Sequence, residues 1–501
     1  MQQATQPAGT RRARRERPAG PDRPTAIVVV LCLAAFMAML DVFVVNVAFT
    51  DIGASFHGPS LADLSWVLNA YTIVYAALLI PAGRLADRHG RRAGFLAGLA
   101  VFTLASAGCA AAPGLWWLVA FRVLQAAGAA LLTPTSLGLL LTALPAERRA
   151  GAVKVWATTS SFAAALGPVV GGALVQLSWH WVFLINLPVG VVAFAAALRL
   201  VPESRDGSVS RDGSVSRGGS VSRDGSVSPD GSVSRLPDPV GTLMLTVAIG
   251  ALALGLVKGD GWGWTSATTL GVFGAAVLGA AVLVVRVLRH PAPIVDPALW
   301  RVPTFVWANV TALVFCAAFG ALFPSVVLWL ESSAGYSALA TGVAILPGPL
   351  MVPVFAVVGQ RLTRRVPVGA LVAAGNLVFC AGAAMLALNA SAHARFATDV
   401  LPGWIVTGVG IGLALPSMIA AATADLPPAR AATGSAVVNT GRQLGYVLGV
   451  AVLVAVLGTL DTSPHGAVAG YRHAWWFIAA ATALAAVTSL GLTRRNAPAD
   501  A

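Results

Sequence analysis

The chain has 501 residues, of which 57% are hydrophobic and 11% charged; soluble domains carry about 25% charged residues, so a soluble globular protein is excluded. The net charge of +13 raises nucleic acid as a partner, but the basic residues sit in connectors between apolar runs, and nucleic-acid binding is set aside. Cys32, Cys109, Cys316 and Cys380 lie singly inside apolar runs, giving neither a disulfide framework nor metal-ligand spacing.

Residues 1–24 form a basic tail with Arg11, Arg12, Arg14, Arg15, Arg17 and Arg23. The next apolar run is too long for a signal-peptide core and no small-residue cleavage site follows it, so it is predicted to be the first membrane helix. Fourteen runs are long enough to cross about 30 Å of hydrocarbon. The first six are 25–49, 66–86, 92–112, 115–142, 151–175 and 180–200, followed by a pair at 239–258 and 267–288. The last six are 305–330, 338–359, 367–388, 399–423, 433–459 and 473–493. An even count places both termini on one side. With that side inside, all but five of the 33 basic residues fall in inner tails, inner loops or adjoining helix ends. Lys258, Arg395 and Arg472 fall outside, and Arg122 and Arg442 fall within helices. The bias is the positive-inside pattern and predicts a multi-pass protein of the cell membrane, embedded in the lipid bilayer, with both termini cytoplasmic. Trp66, Trp116, Trp117, Trp179, Trp181, Trp262, Trp264, Trp404, Trp475 and Trp476 fall at outer helix ends, where an interfacial belt is expected.

Between the sixth and seventh runs, Arg205 to Ser234 are five six-residue repeats of Arg-Asp-Gly-Ser-Val-Ser, with Gly218 and Pro229 as substitutions. The stretch is rich in Gly and Ser and poor in large apolar groups, so it is expected to be a disordered linker. Its spacing matches no metal-binding repeat. The flanking parts echo each other: Gly128 and Pro134 in the first, Gly410 and Pro416 in the second; Gly151 to Gly167, then Gly434 to Gly449. The expected organisation is a tail over 1–24, a six-helix bundle over 25–200 and a repeat linker over 201–237. An inserted helix pair over 238–290, a second six-helix bundle over 291–493 and a tail over 494–501 complete it.

Charge is scarce in the helices, so the few polar motifs stand out. Gly83 to Arg92 (Gly-Arg-Leu-Ala-Asp-Arg-His-Gly-Arg-Arg) connects two apolar runs on the inner side. It is similar to the signature loop of the major facilitator superfamily. The resemblance implies that Gly83, Asp87, Arg88, Gly90, Arg91 and Arg92 latch the two halves on the cytoplasmic side and stabilise an outward-open state. Six, two and six helices resemble the fourteen-helix drug:proton antiporters of the EmrB/QacA type. The implied fold is an all-α membrane protein, two six-helix bundles plus an inserted helix pair.

A carboxylate inside a membrane helix is costly and functional by default, which singles out Asp41 in the first helix. Asp41 and Asn46 resemble an aspartate–asparagine pair of the same family, although Phe43 stands where threonine is usual and Thr50 where proline is. In the fourth helix Arg122 and Gln125 share a face. Their segment resembles a family motif whose arginine is tied to proton transfer, with Ala126 in place of a glycine. In the fifth helix Gly167, Pro168, Gly171 and Gly172 resemble the antiporter motif Gly-Pro-x-x-Gly-Gly, with Ala163 in place of a glycine. Physically, the glycines offer a bare stripe for helix contact, and the proline bends the helix. In the thirteenth helix Asn439, Arg442 and Gln443 match a similar family run. Arg442 lies about 14 Å from the inner end with no acid at its depth; substrate contact and helix packing both remain open roles. Asn46, Gln125, Asn439, Arg442 and Gln443 are the candidate cavity residues.

There is no Walker loop, no paired-histidine metal site and no Gly-x-Ser-x-Gly, so no catalytic residue, metal or cofactor is expected, and a proton gradient is the energy source. The expected function is proton-coupled export of a lipophilic small molecule by a monomer working through alternating access. Asp41 would hold the exchanging proton and Arg122 would modulate it. The rivals are a proton-coupled importer and a non-transporting membrane sensor. With two arginines against one aspartate, dications are disfavoured, and neutral, monovalent or weakly anionic aromatic substrates are expected. Counting at 1.5 Å per residue puts Asp41 about 12 Å and Arg122 about 10 Å below the outer surface. The two are predicted to meet directly or through one water.

Overall fold

The structure is a computed structural model. It describes residues 23–202, 238–290, 293–391, 395–458 and 464–493, so the repeat linker, the C-terminal tail and residues 1–22 of the basic tail lie outside the described residues. Inside a bilayer every backbone N–H and C=O must be paired within the protein, and an unbroken apolar helix does this residue by residue. Among the described residues, fourteen helices are long and apolar enough to cross a membrane: α1 Pro24–Val47, α2 Leu61–His89, α3 Arg91–Ala110, α4 Leu115–Ala143, α5 Glu147–Val175, α6 Trp181–Leu200, α7 Pro239–Trp262, α8 Ala267–Arg289, α9 Pro303–Ser332, α10 Ala338–Leu362, α11 Val368–Leu388, α12 Phe396–Ala424, α13 Thr433–Gly458 and α14 Val468–Leu492. Among the described residues there is no strand.

Two six-helix bundles follow from how the helices pair. In the first, α1 packs on α4, α5 and α6, α2 and α3 pack on α4, and α3 packs on α6. In the second, α9 packs on α12, α13 and α14, α10 and α11 pack on α12, and α11 packs on α14. Each of these pairs in α1–α6 therefore has its counterpart in α9–α14. The repeated glycines explain one of these pairs. A Cβ on Gly128 of α4 would lie 2.6 Å from the backbone N of Phe102 in α3, and one on Gly410 of α12 would clash with the backbone N of Phe379 in α11. Bare glycine surface lets the backbones approach, and both bundles use it at the same place.

The inserted pair is peripheral. α7 packs on α8, α2 and α13, so it straddles both bundles, while only 11% of the α8 apolar window is buried. Arg286 of α8 donates to both oxygens of Asp238, just before α7, at 2.7 and 2.6 Å.

The bundles meet along two seams. The last turns of α5 pack on the first turns of α10, and α2 packs along α13, where Thr440 Oγ1 donates to the Ala76 carbonyl at 3.3 Å. Apart from these seams α1 also meets α9, with Phe43 edge-on to Phe323 at 5.3 Å.

The tryptophans divide differently from a simple belt. Trp116, Trp117, Trp181, Trp262, Trp264 and Trp476 are exposed, as an interfacial belt requires, but Trp179, Trp404 and Trp475 are buried. The indole N–H of Trp404 donates to the Ile345 carbonyl and that of Trp475 to Ser325 Oγ. Position at a helix end fixes depth in the bilayer and leaves open which side of the helix the ring occupies.

Candidate functional site

Asp41 and Arg122 meet inside the first bundle. Both are about 1% exposed, and Arg122 Nη1 donates to Asp41 Oδ2 at 2.5 Å. Similar depth on neighbouring helices brings them together, the contact anticipated from residue counting. Taking an ion pair out of water is costly, and the pair holds only where remaining lone pairs and protons are also satisfied. Here they are. Asp41 Oδ1 accepts from Gln125 Nε2 at 2.8 Å and from Asn186 Nδ2 at 2.9 Å. Arg122 Nη1 also donates to Gln125 Oε1 at 2.7 Å, and its Nε donates to the Val67 carbonyl at 3.1 Å. Ser106 Oγ accepts from Gln125 and Asn186, closing the network. The Tyr71 ring lies 4.1 Å below the guanidinium carbon, a cation–π contact. Five helices thus supply one carboxylate, one guanidinium and the groups that satisfy both.

Gln125 therefore belongs to this sealed network. Asn186, Ser106 and Tyr71 had not been singled out. The usable signal was depth: all three are polar groups in apolar helices, near the level of Asp41.

The α5 motif works at two surfaces. Gly167 and Gly171 back onto Phe43 and Val44 of α1, where a Cβ on Gly171 would sit 3.1 Å from the Val44 backbone. Gly172 and Pro168 face α10. A Cβ on Gly172 would lie 2.7 Å from Leu339 Cα, and Gly342 of α10 abuts the Pro168 backbone. The motif stitches α1 to α5 and the first bundle to the second. Beside this seam Thr50 Oγ1, in the short helix Phe49–Ser55, donates to Glu331 Oε2 at the end of α9, and the other Glu331 oxygen is buried with no partner among the described residues. Lys258 of α7 pairs with Asp63 of α2 at 2.5 Å.

At the opposite end, Gly90 reverses the chain between α2 and α3 with φ 108°, a left-handed backbone that favours glycine. Asp87 pairs with Arg91 at 2.7 Å, Arg92 Nη2 donates to the Leu198 carbonyl at 2.7 Å, and Arg88 is exposed. Those bonds stay within the first bundle. Gly83 packs on Pro134. The reach to the second bundle comes from Arg84, which donates to the Pro293 and Ile294 carbonyls at 3.0 and 3.2 Å.

The remaining candidates lie on α13 and α1. Arg442 Nη1 donates to Asn439 Oδ1 at 2.9 Å. Asn46 Nδ2 donates to the Val42 carbonyl at 2.7 Å, and its side chain adjoins the Tyr446 hydroxyl. Gln443 is half-buried.

Comparison with known proteins bears on this arrangement. The family model of the Major Facilitator Superfamily matches residues 31–450. A methylenomycin A resistance protein of Streptomyces coelicolor is 33% identical over 93% of this chain and 91% of its own. A tetracenomycin C resistance and export protein of Streptomyces glaucescens is 31% identical over 87% of this chain and 76% of its own. Among solved structures, an inward-facing bacterial homologue of the human lysosomal transporter Spinster superposes with TM-score 0.64 at 17% identity, covering 96% of this chain and 100% of its own.

Proposed function

The chain belongs to the Major Facilitator Superfamily, and from that premise we propose that it exports a lipophilic small molecule, of the antibiotic or drug class, across the cell membrane in exchange for protons. The names of its relatives support the direction, since they are resistance and export proteins. The observation that carries the mechanism is the buried Asp41–Arg122 pair. It is the only ion pair among the described residues with both side chains almost wholly buried. In this reading Asp41 is the group at which the proton exchanges, as its partners part and rejoin. Rocking of the two bundles about their seams supplies that change, as alternating access requires.

In this reading the chain is a carrier and not an enzyme, the proton gradient is its energy source, and it acts as a monomer with both termini in the cytoplasm. The α5–α10 seam is then at the outer face, and the described state is closed there. Asp87 and its neighbouring arginines, joined by Arg84, act at the cytoplasmic end. The test is accumulation of a panel of lipophilic antibiotics and dyes in cells with and without the protein, with the proton gradient intact or collapsed. Lower accumulation that disappears on collapse is expected; proton-driven uptake would overturn the direction, and gradient-independent efflux the coupling.

A further inference from the structure

Resting on that export reading, we propose that Arg442 anchors the acidic group of a monoanionic, otherwise apolar substrate in the seam between the bundles. Arg442 is half-buried in α13, and its neighbours Tyr75 of α2 and Cys316 of α9 come from both bundles. The side chain therefore faces the seam rather than lipid.

The guanidinium is under-satisfied. Among the described residues it donates to Asn439 and lies against the weakly accepting Cys316 thiol, and its buried Nε has no partner. No described carboxylate forms an ion pair with it. A lone cation at membrane depth is costly unless a counter-charge arrives. Asp41 is already taken by Arg122 inside the first bundle, so the two cancel and Arg442 keeps its own positive charge.

The neighbouring unpaired atoms extend the site. Tyr446 is one turn from Arg442 on the same face, and its hydroxyl is buried without a partner. The Asn46 side chain of α1 lies beside that hydroxyl, within reach of pairing with it. A forked cationic donor thus stands one helical turn from a buried hydroxyl–amide pair. The surroundings of Tyr446 are apolar: Phe319 lies 6.1 Å from its ring, and Val257, Val450 and Val454 pack in the same cluster. A guanidinium fork matches the two oxygens of a carboxylate. One surplus charge balances one anion, and the apolar walls hold the rest of the ligand.

The test uses the full chain in nanodiscs of phosphatidylcholine, which removes anionic lipid as a rival ligand, and follows tryptophan quenching by anthraquinone-2-carboxylate and by its methyl ester. The wild-type chain should bind the carboxylate at least about tenfold more tightly. Arg442→Gln should weaken carboxylate binding by about 10- to 100-fold, the range a lost charge-assisted hydrogen bond gives, and leave the ester within about twofold. Arg442→Lys should keep part of the preference, because it keeps the charge and loses the fork. A wild type that prefers the ester or binds neither compound overturns the proposal. So does an Arg442→Gln chain that loses both alike, which marks the arginine as packing. A preserved carboxylate preference without proton-driven export of the carboxylate would leave the anion site standing and remove the export reading.

Discussion

The two bundles pair most of their helices in the same way and treat the arginine inside their helices in opposite ways. In the first, Arg122 is about 1% exposed, joined to Asp41 and bonded to Gln125 and the Val67 carbonyl. In the second, Arg442 has Asn439 and an orphaned Nε. Packing was duplicated and charge was not. The difference teaches that the first bundle is closed electrostatically by its own residues, whereas the seam is left for something that arrives. A proton is enough to perturb the first; only an anion completes the second.

The largest expected effect comes from making the first bundle resemble the second. Asp41→Asn keeps the shape and removes the charge, leaving Arg122 buried without its partner. Removing one member of a buried pair costs on the order of 3–5 kcal/mol when nothing compensates, and here the amide still offers one acceptor. We expect gradient-driven export to fall to background in vesicles, with substrate binding retained and the melting temperature lowered. Full proton-driven efflux by the variant would refute the coupling role of Asp41.

How far this contrast was legible in the sequence differs between its two sides. Helices rise a fixed 1.5 Å per residue, so depth can be counted, and that brought Asp41 and Arg122 together before any coordinates. The same counting applies to Asn186 and Ser106, but uncharged polar residues do not announce themselves in apolar helices. Rotation about the helix axis was illegible too, which is why Trp404 and Trp475 turned out buried. Contacts between bundles depend on how the halves are tilted, and no local pattern encodes that. The reach of Arg84 to Pro293 and Ile294 is one example. The Thr50–Glu331 bond is another: the apolar run at 305–330 stops one residue short of the acid.

A smaller effect is expected where the bundles are stitched. Gly172→Val would push side-chain carbon into α10, where even a Cβ would lie 2.7 Å from Leu339 Cα. Overpacking of this kind costs typically about 1–3 kcal/mol, and here it falls on the seam alone. The variant should fold, lose roughly a factor of ten in export and spend more time open at the α5–α10 end. Spin labels on Ser55 and Ser333 would read that as a longer distance. An unchanged distance distribution would mean that the seam has room that the glycine contacts deny.

The smallest expected effect concerns the tether between the bundles. If each bundle is specified by its own residues, the repeats at 205–234 carry no coupling information. The inserted helices have their own fastening. Arg286 grips Asp238 with two hydrogen bonds, and those bonds hold the Asp238 carboxyl below its ordinary value. A depressed folded value means the pair contributes fully above the unfolded value of about 3.9 and loses its contribution as pH falls through the folded one. At neutral pH the start of α7 is therefore held whatever precedes it. Replacing residues 205–234 with an equal length of Gly and Ser should leave proton-driven export unchanged, since composition and not sequence is what the tether needs. Deleting them leaves residues 202–204 and 235–237, about 25 Å of extended chain between Val201 and Asp238 at up to 3.6 Å per residue. Export should survive that as well if the two ends lie within reach. Loss on deletion with full activity in the Gly-Ser chain would set a lower bound on the distance the tether spans during rocking. Loss in both, at normal expression, would mean that the repeats act in transport and that the two bundles are not independently specified.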